Sequence, residues 1–166
     1  MINKIRLIFP QLILFSLVLL TRKTSASPSC ETPVEIDLLT ENLSTTEIVT
    51  ANSFSQTSMT VPSLWWSTEQ FDQFGGRLVD NWLADSQEKR IDLIVNTQLW
   101  GIMTYLDRYS FVNSFGTVAR SYQYNLRVFS QNQQCLALYY YNSHSSPPRW
   151  ELDLTPSLTN SWKISQ

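Results

Sequence analysis

A chain of 166 residues, 43% of them apolar and 13% aromatic, has room for one domain of ordinary size and its tails. Its formal charge is −2, with no basic run. That argues against non-specific nucleic-acid binding, because neutralising phosphates takes clustered Lys or Arg.

Residues 1–26 read as a signal peptide or N-terminal anchor. Lys4 and Arg6 form a positive start, residues 7–20 a short apolar run, and Thr24 and Ala26 a small-residue cleavage pattern. A spanning helix needs about 20 apolar residues, which favours the cleaved signal. Arg22 and Lys23, just after the run, speak for retention. Either way the expected location is across a membrane, with a possible tether in residues 7–20. Removing residues 1–26 takes four of the 12 basic residues and none of the 14 acidic ones, leaving a balance of −6.

Residues 27–61 hold thirteen Ser or Thr, no Lys or Arg, and five acidic residues (Glu31, Glu35, Asp37, Glu41 and Glu47). Low apolar content with charge of one sign predicts an acidic, flexible linker. Cys30 lies in it and Cys135 in an expected strand; the two could pair in an exported chain, or Cys135 could be a small buried apolar residue, the reading preferred from sequence.

Residues 62–166 are expected to form a single α+β domain. Pro62 and Ser63 signal a helix start, and Leu64, Phe71, Leu78 and Trp82 then fall on one line at about 100° per residue. The pattern predicts an amphipathic helix over 64–83. Gly75 and Gly76 inside it suggest close packing, a ligand against bare backbone, or a split helix; packing is the reading taken.

The run KRIDLIVN alternates Ile91, Leu93 and Val95 against Asp92, Ile94 and Asn96, as a central strand does. A buried Asp92 needs a partner, and Arg120 and Arg127 are the candidates. From Thr97, two helical stripes follow: Leu99, Ile102, Met103 and Leu106, then Phe111, Phe115, Val118 and Tyr122. They lie roughly 150° apart, so a break is expected near 108–114, capped by Ser110 or Asn113. Gly116 points to tight packing. Residues 126–130 and 135–142 read as a hairpin, and Trp150, Leu152 and Leu154 alternate with charged residues as a one-sided strand. Trp162 in the tail would fold back. The expected order is α-β-α-α-β-β-β, with helices on one face of a mostly antiparallel sheet of about four strands.

The chemistry on offer is thin. His144 is the sole histidine and lies in the loop NSHSSPP; no G-x-S-x-G, metal-ligand or phosphate-loop motif is present. No cofactor or metal is therefore expected. The aromatics fit binding better: Trp65, Trp66, Tyr139, Tyr140, Tyr141, Trp150 and Trp162 exceed what a small core requires. A groove is expected between the 64–83 helix and the sheet, with Trp65, Trp66, Arg90, Asp92, Arg120 and Arg127 as its binding residues. Two functions are open: a non-enzymatic exported domain that binds a protein partner or membrane-associated complex, or a small envelope hydrolase using carboxylates or His144.

The runs VPSLWWSTEQFDQFGGRLVDNWLAD and RIDLIVNTQLWGIMTYLDRYSFVNSFGTVARSYQYNLRVF resemble a family of uncharacterised cyanobacterial proteins, over about residues 61–142. The resemblance implies a cyanobacterial source and a destination in the periplasm or thylakoid lumen. It implies no activity, cofactor or catalytic residue.

Overall fold

The computed structural model describes residues 29–40, 48–52 and 64–154. The expected signal segment, the Ser63 cap and Trp162 lie outside them. The described chain is an α+β fold. A sheet of six strands runs in sequence order: β1 (Ile48–Thr50), β2 (Val79–Asp85), β3 (Arg90–Val95), β4 (Asn125–Ser130), β5 (Cys135–Asn142) and β6 (Arg149–Asp153). Six strands replace the expected four. All neighbours are antiparallel except β3 and β4, which a helical crossover joins in parallel.

Four helices accompany the sheet: α1 (Asp37–Thr40), α2 (Trp65–Phe71), α3 (Thr97–Ile102) and α4 (Tyr105–Ser121). The last three cover one face. Their core joins Leu64, Trp82, Ile91, Leu93, Val95, Trp100, Phe111, Phe115, Leu126, Val128 and Tyr139. Strand alternation sends the intervening residues to the other face, where Leu83, Ile94, Phe129 and Leu138 meet Val34 and Leu39.

The 64–83 helix expected from the sequence is a correction. It ends at Phe71, and Leu78 to Trp82 belong to the approach and body of β2. Gly75 and Gly76 sit at φ +67° and +80°, which a right-handed helix cannot contain, and a Cβ at either would meet nothing within 4 Å. The pair splits the helix rather than packing it. Asp72 fixes the turn, accepting from Phe74 N at 2.8 Å, Leu78 N at 2.6 Å and Val79 N at 3.2 Å. Gly116 does pack closely: a Cβ there would collide with the Tyr139 ring.

The helical crossover breaks at Met103–Thr104, earlier than expected. Asn96 caps α3 through Gln98 N and Leu99 N. Thr104 and Asp107, rather than Ser110 or Asn113, form the reciprocal cap of α4. The stripe of Leu99, Ile102, Met103 and Leu106 divides there. Met103 is buried, while Ile102 and Leu106 are 71% and 74% exposed.

The described parts of residues 27–61 are built into the domain, which corrects the flexible-linker reading for them. Thr50 and its neighbours add an edge strand to β2. Val34 and Leu39 are buried, and Cys30 forms a disulfide with Cys135 on β5. A few apolar side chains suffice because the sheet supplies the remaining partners and the disulfide supplies the attachment.

Candidate functional site

The expected binding residues divide into three places. Asp92 and Arg127 stand opposite each other on β3 and β4, both essentially inaccessible to solvent. Arg127 Nε and Nη2 donate to the two carboxylate oxygens of Asp92, each at 2.7 Å. Arg90 Nε lies 3.2 Å from the same carboxylate. Arg127 Nη1 also donates to the carbonyls of Ser29, at 3.0 Å, and Thr32, at 2.8 Å. These bonds pin the N-terminal segment over the second face, beside the disulfide. Arg127 thus meets both oxygens of the buried carboxylate by charge-assisted hydrogen bonds, while Arg90 adds an ion pair without a hydrogen bond, and Arg127 fastens the N-terminal segment to this pair.

Trp65 and Trp66 lie with α2 on the opposite face of the sheet, so the expected groove does not gather the six residues. Trp65 packs edge-on to Trp82 and Trp66 edge-on to Phe71, and each remains just over half exposed. Arg120 is separate again: it is exposed on α4, with its guanidinium carbon 5.9 Å from the centre of the Trp150 ring. His144 is exposed in the β5–β6 turn, where its backbone N–H is held by Asn142 Oδ1.

A second surface was not named from the sequence. Tyr105 and Leu106 at the start of α4 and Ile102 at the end of α3 are exposed at 67%, 74% and 71%; Tyr109 follows one turn on at 44%. The elbow that presents them is braced by one side chain. Arg108 lies across the Trp100 ring and donates to the carbonyls of Trp100, at 3.1 Å, and Gly101, at 3.2 Å. It thereby satisfies the C-terminal carbonyls of α3 while anchored in α4.

Tyr109 joins this patch to a cleft of about 460 Å³ between α4 and the strands β5 and β6. Asn113 and Arg120 form its helical wall; Tyr139, Tyr141, Trp150 and Leu152 form its floor. At 100° per residue, Tyr105, Tyr109, Asn113, Gly116 and Arg120 lie within about 80° on α4. Gly116 lets the helix meet Tyr139 there, and Trp150 stacks on Tyr139 with ring centres 5.5 Å apart. No Asp or Glu among the described residues lines the cleft. Among the described residues no three His, Cys, Asp or Glu side chains gather as a metal site requires.

No family model matches this chain, and neither a curated protein nor a solved structure matches it. The resemblance to cyanobacterial proteins gains no support from these comparisons.

The clearest sequence signal of the patch is the conflict between the two stripes around residue 103. A stripe that cannot share the sheet with its neighbour must be buried elsewhere or left open. Ile102 and Leu106 are left open.

Proposed function

We propose that this is a non-enzymatic binding domain, exported or membrane-tethered, that docks a protein partner at a membrane through Ile102, Tyr105, Leu106 and Tyr109. The observation that carries the reading is the exposure of Ile102 and Leu106, at 71% and 74%, on a helical elbow that Arg108 braces. Adjacent exposed apolar side chains mark contact surfaces, and aromatic residues are enriched in such contacts. Fixing the elbow in advance lowers the entropic cost of association.

The Cys30–Cys135 disulfide supports an oxidising destination such as a periplasm or thylakoid lumen. Among the described residues no helix is long and apolar enough to cross a membrane; the apolar run over residues 7–20 is the tether this reading uses. The hydrolase alternative lacks comparable support. Asp92 is enclosed by two arginines, and His144 stands in an exposed turn.

The test is capture of a partner from native membranes by the full chain, compared with Leu106→Glu and with Trp65→Ala/Trp66→Ala. Loss of one specific partner with Leu106→Glu alone supports this surface. Loss with the tryptophan variant alone moves the contact to α2, and equal capture by all three removes the proposal.

A further inference from the structure

We infer that the cleft beside β6 takes an extended acidic segment of the docked partner, added as a seventh strand with a carboxylate held by Arg120. The inference rests on the docking reading above and names what the partner presents.

Three observations carry it. The first is the outer edge of β6. β6 is last in the strand order and pairs with β5, and no strand among the described residues covers its far side. The outer edge of a strand presents backbone donors and acceptors at regular spacing, which an extended peptide matches.

The second is charge. The protein is acidic overall, yet among the described residues its cleft is lined by Arg120 and Arg149 and by no carboxylate. Arg149 is already engaged, with Nε 2.9 Å from Glu151 Oε1. Arg120 is not among the arginines that pair with a carboxylate in the described residues. Its guanidinium lies over Trp150, a placement that holds the group while leaving its N–H fork free to bind a carboxylate.

The third is the position of the cleft relative to the edge. Trp150 and Leu152, on alternate positions of β6, form its floor. Side chains of an added strand alternate in the same way, so every second one would lie beside them, next to Arg120, Asn113 and Tyr109. A carboxylated sugar would also suit an arginine among aromatic rings, but it has no use for the sheet edge. The edge is what favours a peptide.

The test selects binders from a random peptide library displayed on phage, using the full chain as bait. Selected peptides are then titrated against wild type, Arg120→Gln, Arg120→Lys and Leu106→Glu. The expected result is enrichment of Asp or Glu among alternating apolar residues and new amide-exchange protection along 149–152. Affinity should fall at least about tenfold in Arg120→Gln, with partial recovery in Arg120→Lys, as loss of a charge-assisted pair requires. Failure to enrich any peptide, enrichment without acidic residues, equal affinity for Arg120→Gln, or unprotected β6 amides would overturn it. So would Arg120-dependent binding of oligogalacturonate in place of peptide. Partner capture that depends on Leu106 but not on Arg120 leaves the docking surface standing and removes this inference. Arg120-dependent peptide binding with partner capture indifferent to Leu106 removes the docking surface instead.

Discussion

Arg127 reaches across from β4 to close both oxygens of Asp92 on β3 at 2.7 Å, and its remaining nitrogen holds the Ser29 and Thr32 carbonyls. One side chain thus joins the centre of the sheet to the N-terminal segment. Arg127→Met should strand a buried carboxylate and release two backbone carbonyls. The expected cost is about 3–5 kcal/mol in urea unfolding, the range for breaking a buried pair from one side. Arg90→Met should cost less, since Arg127 retains the carboxylate.

The disulfide fastens the same segment covalently, 105 residues apart in sequence. Cys30→Ala/Cys135→Ala should lower stability by about 2–5 kcal/mol, because a long loop is then left open in the unfolded chain. Proteolysis of the reduced protein should begin around residues 29–40 while the β3–β6 region stays protected.

Three glycines should respond differently to alanine. Gly116→Ala must displace the Tyr139 ring and should cost about 1–3 kcal/mol. Gly75→Ala forces a side chain into the left-handed region and should cost about 1–2 kcal/mol. Gly101→Ala adds a methyl group to an exposed helix with nothing within 4 Å, and should be neutral or stabilising by up to about 1 kcal/mol. Thermal or urea unfolding of the three variants separates crowding from backbone strain.

How far the sequence reveals this fold depends on the element. β3 to β6 are legible because each is a short run of apolar and β-forming residues with polar residues at its ends, even though a register shift at Val128/Phe129 interrupts the pairing of β4 with β5. β2 is not: Leu78 and Trp82 satisfy a helical period as well as a strand's, and the register shift between Val79 and Asn81 spoils the alternation. Only the φ angles at Gly75 and Gly76 decide the matter, and these are not visible in composition. Arg127 is one of the two partners the sequence offers for Asp92, whereas Arg90 is not among them, and the N-terminal segment held by Arg127 is hidden by its acidic, Ser/Thr-rich character. Ile102 and Leu106 are hard to tell from core residues in the sequence, because apolar residues at helical spacing look alike whether they meet a sheet or another molecule.

The cap of α4 should be acid-sensitive. Hydrogen bonds from the Thr104 hydroxyl, and then from the Thr104 N–H, hold the Asp107 carboxyl below its ordinary 3.8. Because the folded value is the lower one, its contribution is present above about pH 4 and fades as pH falls through the folded value. Amide exchange in the first turn of α4 should therefore quicken in acid. Asp107→Asn should show little of that pH dependence, and equal acid sensitivity in both proteins would contradict the capping account.

The docking surface is the central claim, and site-specific photo-crosslinking in native membranes tests it most directly. A photo-reactive residue would replace Leu106 in one protein and Gln87, in the turn before β3 at the opposite end of that strand, in another. The account predicts one discrete crosslinked partner from position 106 and none from position 87. The 106 adduct should disappear when Ile102→Glu is added, a surface change expected to alter stability by no more than about 0.5 kcal/mol. Equal labelling from both positions, or an adduct at 106 that survives Ile102→Glu, would contradict it.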